Sequence, residues 1–257
     1  MRPTFGFSSG PGSTPERGVS SLPQNPSFLA LAGLAFRLVW RRWPIFAPAV
    51  AIAIAVQTLV ALVGRVPHGI DLDTFVVPPI LTTLVYAFVA ADARAQPVET
   101  RAIWERFLER SWAVIAIDFV LSIVSAIGLG SGASGNFIDV LGGVAIVGLS
   151  AMLVFADASA TVDDDLTVWS VVPRAFARSL TAAWQRSVFP RAFAIFGLQL
   201  LVFALQSALY ALLQHGHLPN ALFWSQIPLL TVAVPPLSAL TVLVYLAADS
   251  AHARAPE

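Results

Sequence analysis

Six long apolar stretches dominate this chain and restrict its possible folds more than any other feature. A helix of roughly 17 to 25 apolar residues crosses a bilayer core of about 30 Å. Stretches of that kind run approximately over residues 44–64, 73–91, 112–129, 137–156, 192–213 and 224–248. The sequence therefore predicts an all-α fold, a polytopic transmembrane helical bundle of six spans arranged as three hairpins.

Short polar connectors separate the two spans within each predicted hairpin. Residues 64–73, 130–136 and 214–220 contain Gly, Pro, His or Asn, as turns between neighbouring helices do. Of the 15 basic residues, all of them arginine, only Arg65 lies in these connectors. Because positive charge marks the cytoplasmic side of a membrane, both termini are predicted to be cytoplasmic.

The second and sixth stretches align without a gap, which indicates an internal repeat. In each, a proline pair precedes a terminal aspartate by 14 and 13 residues: Pro78, Pro79 and Asp92, and Pro235, Pro236 and Asp249. The fourth stretch ends in the same way at Asp157, with Gly142 and Gly143 near the position of the prolines. We therefore expect one hairpin unit, ending in an aspartate, to occur three times.

An amphipathic segment on the arginine-rich side precedes each predicted hairpin. In residues 100–112 apolar side chains recur at helical spacing and charged side chains take the opposite face, and residues 28–43 and 169–184 show a similar pattern. Helices of this kind lie in the headgroup plane of a bilayer. The side chains expected at lipid headgroups are Arg101, Arg106, Arg110, Arg174, Arg178, Trp104, Trp112, Trp169 and Trp184.

The composition excludes several classes of function. The chain is 57% hydrophobic and 12% charged with a mean hydropathy of +0.76, against about 45–50% apolar residues in soluble domains. The net charge of zero and the lack of a basic domain argue against nucleic-acid binding. Without cysteine there is no thiol nucleophile or thiolate metal site. We predict no cofactor and no metal, and the expected partners are membrane lipid and either another membrane protein or a second copy.

The contrast between polar ends and an apolar middle of the chain predicts the domain organisation. Residues 1–25 are rich in Ser, Pro and Gly and have too little apolar surface to offset the entropy of ordering, which predicts a disordered cytoplasmic tail. Residues 26–250 form one predicted six-helix domain, and residues 251–257 form a second short cytoplasmic tail.

The connector between the fourth and fifth stretches carries a pattern known from other proteins. Residues 162–169 (Val-Asp-Asp-Asp-Leu-Thr-Val-Trp), followed by Arg178, Ser179 and Trp184, resemble bacterial six-span proteins of the YciC-like group and the membrane domain that accompanies glycerophosphodiester phosphodiesterases. The resemblance implies a multi-pass protein of the bacterial plasma (inner) membrane. It carries over no catalytic residue, because those families largely lack assigned biochemistry.

Asp118 is the one acid clearly inside a predicted span, six residues after Trp112 and so about 9 Å along the helix axis. An intramembrane carboxylate is a functional hypothesis by default. The alternative is a structural role, such as pairing with Arg110. Three other acids, Asp92, Asp157 and Asp249, end their predicted spans; they either form an ion-attracting ring or pair with arginines of the interfacial helices.

The proline pairs at 78–79 and 235–236 have two interpretations as well. They are candidate hinges that unwind a span and expose carbonyl groups to a solute, or they kink helices whose neighbours satisfy the freed groups. Asp163 to Asp165 are expected before a connector helix, whose N-terminal dipole favours them. His215 and His217 share a connector with no third metal ligand nearby.

These patterns contain no acid–base pair, nucleophile or cofactor motif, so we do not expect an enzyme. The first expectation is an accessory or structural membrane subunit that acts through helix packing and interfacial helices. The alternative is a small-solute or lipid transporter that uses the broken second and sixth spans and Asp118 as coupling acid.

Overall fold

The computed structural model describes residues 26–63, 72–93, 100–132, 137–163, 170–217 and 221–252. The described residues are almost wholly helical and contain no strand. Their elements are α1 (Phe28–Arg41), α2 (Trp43–Val63), α3 (Leu72–Ala93), α4 (Thr100–Gly132), α5 (Phe137–Met152), α6 (Ala156–Val162), α7 (Val171–Trp184), α8 (Phe189–His215), α9 (Ala221–Pro228), a π-helical turn (Leu229–Ala233) and α10 (Val234–His252). The predicted tail 1–25, residues 253–257 of the second tail, most of the connector 64–73, and Asp164, Asp165 and Trp169 lie outside the described residues.

Three helical segments of the described chain are long and apolar enough to cross a membrane, as the composition predicts. They are Leu141–Val162, Phe189–His215 and Leu229–Ala248. The pair formed by α1 and the first part of α2 meets the same criterion, with a bend of 71° between its two helices. The chain is therefore an all-helical protein with membrane-spanning helices, whereas six spans and a repeated hairpin are not supported by these segments.

Two of the three predicted interfacial segments form separate helices before a long apolar helix. Ser27 caps α1, accepting a hydrogen bond from the Ala30 backbone N–H at 3.2 Å, and Arg42 separates α1 from α2. The other, α7, ends at Trp184, and α8 begins at Phe189 with Pro190 in its first turn, where proline is tolerated.

The prediction of a third interfacial helix over residues 100–112, separate from a span over 112–129, is wrong. The two segments form the single 33-residue helix α4. Residues 110–118 contain neither glycine nor proline, so nothing in this part of the chain interrupts the backbone hydrogen bonds. The charged first turns and the apolar remainder are therefore parts of one rigid element.

The fourth predicted span differs from expectation in both its end and its break. It continues past Ala156 to Val162, so Asp157 lies inside the segment rather than at its end. The helix breaks at residues 153–155, between α5 and α6, and not at Gly142 and Gly143, which lie within α5.

The helices pack around two groups of buried side chains. The larger group is built mainly from α1, α2, α3 and α10, with further side chains from α4, α6, α7 and α8, and it includes an edge-to-face contact of Phe46 with Phe88, whose ring centroids are 4.9 Å apart. The smaller lies between α4, α6 and α7 and consists mainly of alanines. The short helix α6 is packed against α4, α7, α3 and α10, at the meeting point of the two groups.

The two proline pairs lie in different backbone settings. Pro78 and Pro79 are inside α3, and the Pro79 carbonyl accepts hydrogen bonds from the Thr82 and Thr83 hydroxyls at 3.0 and 2.6 Å. Pro235 and Pro236 stand in the first turn of α10, directly after the π-helical turn. Proline there costs little, because the α-helical hydrogen-bond pattern only restarts at Val234.

Candidate functional site

Small side chains bring α4, α6 and α7 into close contact. Ala156 and Ala160 lie one turn apart on α6, and both are fully buried against Ala113 and Ile117 of α4 and Ala175 of α7. Side chains as small as alanine let helix backbones approach closely in membrane proteins. Asp157 and Asp118 each directly follow one of these contact residues in the sequence, so the packing carries both acids to the same place.

The carboxyl groups of Asp118 and Asp157 face each other within hydrogen-bonding reach. Both side chains are partly buried, whereas the Oδ1 atom of Asp157 is fully enclosed and has no hydrogen-bond partner among the described residues. The sequence identifies each acid as a functional candidate, but it does not predict that the two acids lie next to each other. This carboxyl pair is the candidate functional site.

Two hydroxyl groups from the proline-bearing helices lie beside the carboxyl pair. The Tyr86 side chain of α3 is close enough to both carboxyl groups to interact electrostatically, and it hydrogen-bonds to Thr241 of α10. Thr241 in turn donates to the Leu237 carbonyl at 2.9 Å. Four helices, α3, α4, α6 and α10, thus contribute polar side chains to one buried region.

The break before α6 is closed by a side chain from another helix. Ser179 of α7 accepts a hydrogen bond from the Phe155 backbone N–H at 3.1 Å and donates one to the Met152 carbonyl at 2.8 Å. A helix break inside a membrane leaves backbone groups that water cannot satisfy, so a protein partner has to replace it. Ser179 therefore stabilises the irregular backbone two residues before Asp157.

At its other end, α6 is held by a cluster of side chains around Asp163. The Asp163 Oδ2 atom accepts hydrogen bonds from Ser159 at 2.6 Å and from Tyr245 at 2.9 Å, and it forms an ion pair with Arg178 at 2.7 Å. Asp163 thus contacts the second half of α7 instead of the helix N-terminus where the sequence places it. These contacts tie the end of α6 to α7 and α10.

Arg106 of α4 caps the end of α6. Its guanidinium donates to the carbonyls of Thr161, Val162 and Asp163 at 2.8, 3.2 and 3.1 Å. The last carbonyl groups of a helix lack partners within it and attract cations. Since Arg106 contacts the end of α6 and Asp118 contacts its beginning, α4 and α6 run antiparallel and are joined at two points.

The remaining predicted acids and prolines do not join this site in the described contacts. Asp92 is half-buried in the last turn of α3, and the side chain of Asp249, near the end of α10, lies outside the description. Pro235 is buried, and Pro79 is buried within α3. In the described ranges no group of three His, Asp or Glu side chains is arranged to hold a metal ion.

The residues predicted at lipid headgroups occupy varied environments. Trp112 and Trp184 are exposed, Arg174 is exposed and Trp104 is half-buried against Phe107. Arg101 is exposed and hydrogen-bonds to Glu105 at 2.7 Å, which raises the pKa of its guanidinium. Arg110, by contrast, is buried. Arg106 contacts the last carbonyl groups of α6, and Arg178 contacts Asp163, the residue that follows α6.

Sequence reasoning did not identify Ser179, Tyr86, Tyr245 or Thr241 as parts of a polar network. Ser179 lies on the buried face of an amphipathic helix, between Ala175 and Ala182, and a small polar residue on such a face is a usable signal for a contact with a neighbouring helix. The tyrosines and threonine lie in uniformly apolar stretches, where only three-dimensional proximity shows a role.

Comparisons with protein-family models, with curated proteins and with solved structures give no match for this chain. The resemblance to YciC-like proteins and the phosphodiesterase-associated membrane domain therefore stays a prediction from the sequence.

Proposed function

We propose that this chain is a membrane transporter for a small solute, with Asp118 and Asp157 as its coupling acids. The observation that supports this most is the carboxyl pair. Acids within membrane proteins are costly and mark ion or substrate pathways by default, and these two lie together beside a broken helix. The structure thus favours the alternative expectation from the sequence over an accessory subunit.

The proposed pathway follows the polar region at the meeting of α3, α4, α6 and α10. The Tyr86 hydroxyl extends this region from the carboxyl pair to Thr241 of α10, and α3 and α10 carry two further buried hydroxyl groups, those of Thr83 and Ser238. In many transporters, broken helices at the binding site expose backbone groups to the substrate. The break at residues 153–155 lies directly before Asp157 and is the irregular segment beside this region.

The proposal keeps the topology expected from the sequence: six spans in three hairpins, both termini cytoplasmic, in the bacterial plasma membrane. The lengths of α2 and α3, 21 and 22 residues, support it, because each is long enough to cross the bilayer core of about 30 Å. Cysteine-accessibility mapping of residues 64–71 and 133–136 tests it, since the chain has no native cysteine. Both segments should react only from the outer side.

Uptake into reconstituted vesicles tests the transport function. The full chain is placed in phospholipid vesicles, and a panel of radiolabelled amino acids, sugars and organic cations is supplied outside under an imposed ion gradient. We expect at least one solute to accumulate, Asp118→Asn to abolish accumulation, and Pro79→Ala to reduce it. If both variants leave the uptake unaltered, the proposed mechanism is wrong.

Glu105→Gln is the matched control for the uptake experiment. It removes a carboxylate from the same helix as Asp118, but that carboxylate is exposed and its hydrogen-bond partner is the exposed Arg101. Uptake should be unchanged in this variant. A loss as large as that of Asp118→Asn would indicate that any change of charge on α4 disrupts the protein.

An accessory subunit is the second candidate, and the surface of α8 favours it. Only 11% of the apolar part of this 27-residue helix is buried by the other described residues of the chain. Large apolar side chains such as Leu201, Phe203 and Leu212 are exposed along it. Cross-linking in native membranes, followed by mild detergent extraction, separates the two functions: a stable heteromeric partner supports a subunit, and an uncomplexed chain that accumulates solute contradicts it.

A further inference from the structure

We infer that Asp118 and Asp157 form a proton-binding site, in which one proton shared between the two carboxyl groups holds α6 against α4. The inference rests on the carboxyl pair that also supports the proposed transport function and identifies the ligand of that pair. It goes further by assigning a structural task to the proton.

The first argument is that the Oδ1 atom of Asp157 lacks a hydrogen-bond donor among the described residues. Two ionised carboxylates offer only acceptor oxygens to each other. The enclosed Oδ1 atom of Asp157 has no hydrogen-bond partner in the described part of the chain, although the Asp118 carboxyl group is within reach of the side chain. A buried acceptor without a partner is unfavourable. A proton on either carboxyl group supplies the missing donor and lets the two groups bind each other.

The second argument is the location of the other charged and titratable groups around α6. Arg106 of α4, Arg178 of α7 and Tyr245 of α10 contact the far end of the helix, at residues 161–163. From α3, Tyr86 faces the carboxyl pair, and its hydroxyl group hydrogen-bonds to Thr241. Arg106 and Arg178 therefore compensate Asp163 and the helix carbonyls, at the end away from Asp157. The buried Arg110 of α4 lies eight residues before Asp118 and forms an ion pair with Glu109 at 3.3 Å.

The third argument is electrostatic. Two carboxylates this close cannot both be ionised at low cost, and a single proton shared between them removes this repulsion. Loss of that proton places two negative charges between α4 and α6 and drives these helices apart at this end only.

Labelling with dicyclohexylcarbodiimide tests the proton site, because the reagent modifies protonated carboxyl groups in apolar surroundings. The full chain in phospholipid vesicles is labelled over a range from mildly acidic to strongly alkaline pH, and modified peptides are quantified by mass spectrometry. We expect the adduct on Asp118 or Asp157. The amount of labelled peptide should fall at least about tenfold as the pH rises and the pair loses its proton. Asp163, which is paired with Arg178, should remain unmodified.

Two variants and one competition define the outcome. In Asp118→Asn the amide supplies a donor to Asp157, so labelling of Asp157 at neutral pH should fall about tenfold. Glu105→Gln should leave the labelling of the pair unchanged. Sodium ions at constant pH should not protect the pair.

Three results would overturn the proton assignment. They are labelling of the pair that does not depend on pH, unchanged labelling of Asp157 in Asp118→Asn, and protection by sodium ions, which would make the site one for a metal cation. The wild-type pH series and the sodium competition need no variant, so a misfolded variant does not prevent the test. Labelling also needs no transported solute: a titrating pair without any uptake leaves the proton site standing and removes the transport function.

Discussion

Ser179 Oγ donates a hydrogen bond of 2.8 Å to the Met152 carbonyl, joining α7 to the last residue of α5 across 27 positions of sequence. The same hydroxyl accepts the Phe155 backbone N–H. The turn at residues 153–155 is therefore completed from outside, and the orientation of α6 depends on α7.

Ser179→Ala should destabilise the protein. The substitution leaves a backbone N–H and a carbonyl without their buried partner, which costs about 1–3 kcal/mol. Thr181→Ala is the control on the same helix, because the exposed Thr181 hydroxyl bonds only to the Ala177 carbonyl one turn before it; it should change stability by less than about 0.5 kcal/mol. Unfolding in detergent measures both, and equal effects of the two substitutions would contradict the role of Ser179.

Asp163→Ala should also be destabilising, by about 2–4 kcal/mol, because it leaves a buried tyrosine, a serine and a partly buried arginine without their shared acceptor. The Asp163 and Arg178 side chains are 12% and 37% exposed, whereas those of Arg101 and Glu105 are 64% or more exposed. Glu105→Ala should therefore cost under about 1 kcal/mol. Thermal unfolding of both variants measures the loss of stability. A larger loss in Glu105→Ala than in Asp163→Ala would show that Asp163 does not anchor α6.

The stability of the wild-type chain should fall as the pH rises from mildly acidic values. A shared proton at Asp118 and Asp157 means that the folded state binds more protons than the unfolded state, so each unit of pH removes stability. One proton gives a slope of at most about 1.4 kcal/mol per pH unit. Unfolding temperatures across the pH range measure it. The double substitution Asp118→Asn, Asp157→Asn should flatten this part of the profile, and an unchanged slope would refute the linkage.

Replacing Pro235 and Pro236 by alanine should stabilise α10 while reducing uptake. Alanine restores two backbone N–H donors and permits regular α-helical bonding through the π-helical turn. Because proline costs little in the first turn of a helix, the gain should stay well below the roughly 3 kcal/mol of a helix-interior proline, and the lost packing of buried Pro235 reduces it further. Thermal unfolding and vesicle uptake are measured on the same preparation. Destabilisation, or normal uptake in a stabilised variant, would exclude these prolines as a hinge.

Apolar length and amphipathic spacing predict several elements well. The apolar stretches 73–91 and 192–213 form the helices α3 and α8, of which α8 is long and apolar enough to cross a membrane, and the amphipathic segments before the first and third predicted hairpins form α1 and α7. These features are local, because helix length and the period of apolar side chains are set within the segment itself.

The elements that sequence reasoning missed depend on distant contacts. Residues 153–155 are Leu-Val-Phe, with no glycine or proline, and the break there is satisfied by Ser179. Asp118 and Asp157 are 39 positions apart, so each is visible as an acid in an apolar stretch while their pairing is not. The repeat argument placed Asp157 at a helix end because it compared segments in one dimension, and the chain continues as helix to Val162.

The length of α4 has a consequence for how the ends of α6 respond to their surroundings. A 33-residue helix is about 50 Å long and exceeds a hydrocarbon layer of about 30 Å. In the proposed topology its charged first turns therefore stand in water while Asp118 lies deeper. Dissolved salt screens the ion pair of Asp163 with Arg178 at the outer end but scarcely reaches the inner end. The two ends of α6 should therefore respond to different conditions. Ionic strength weakens the contact of Asp163 with Arg178, whereas pH controls the contact of Asp157 with Asp118.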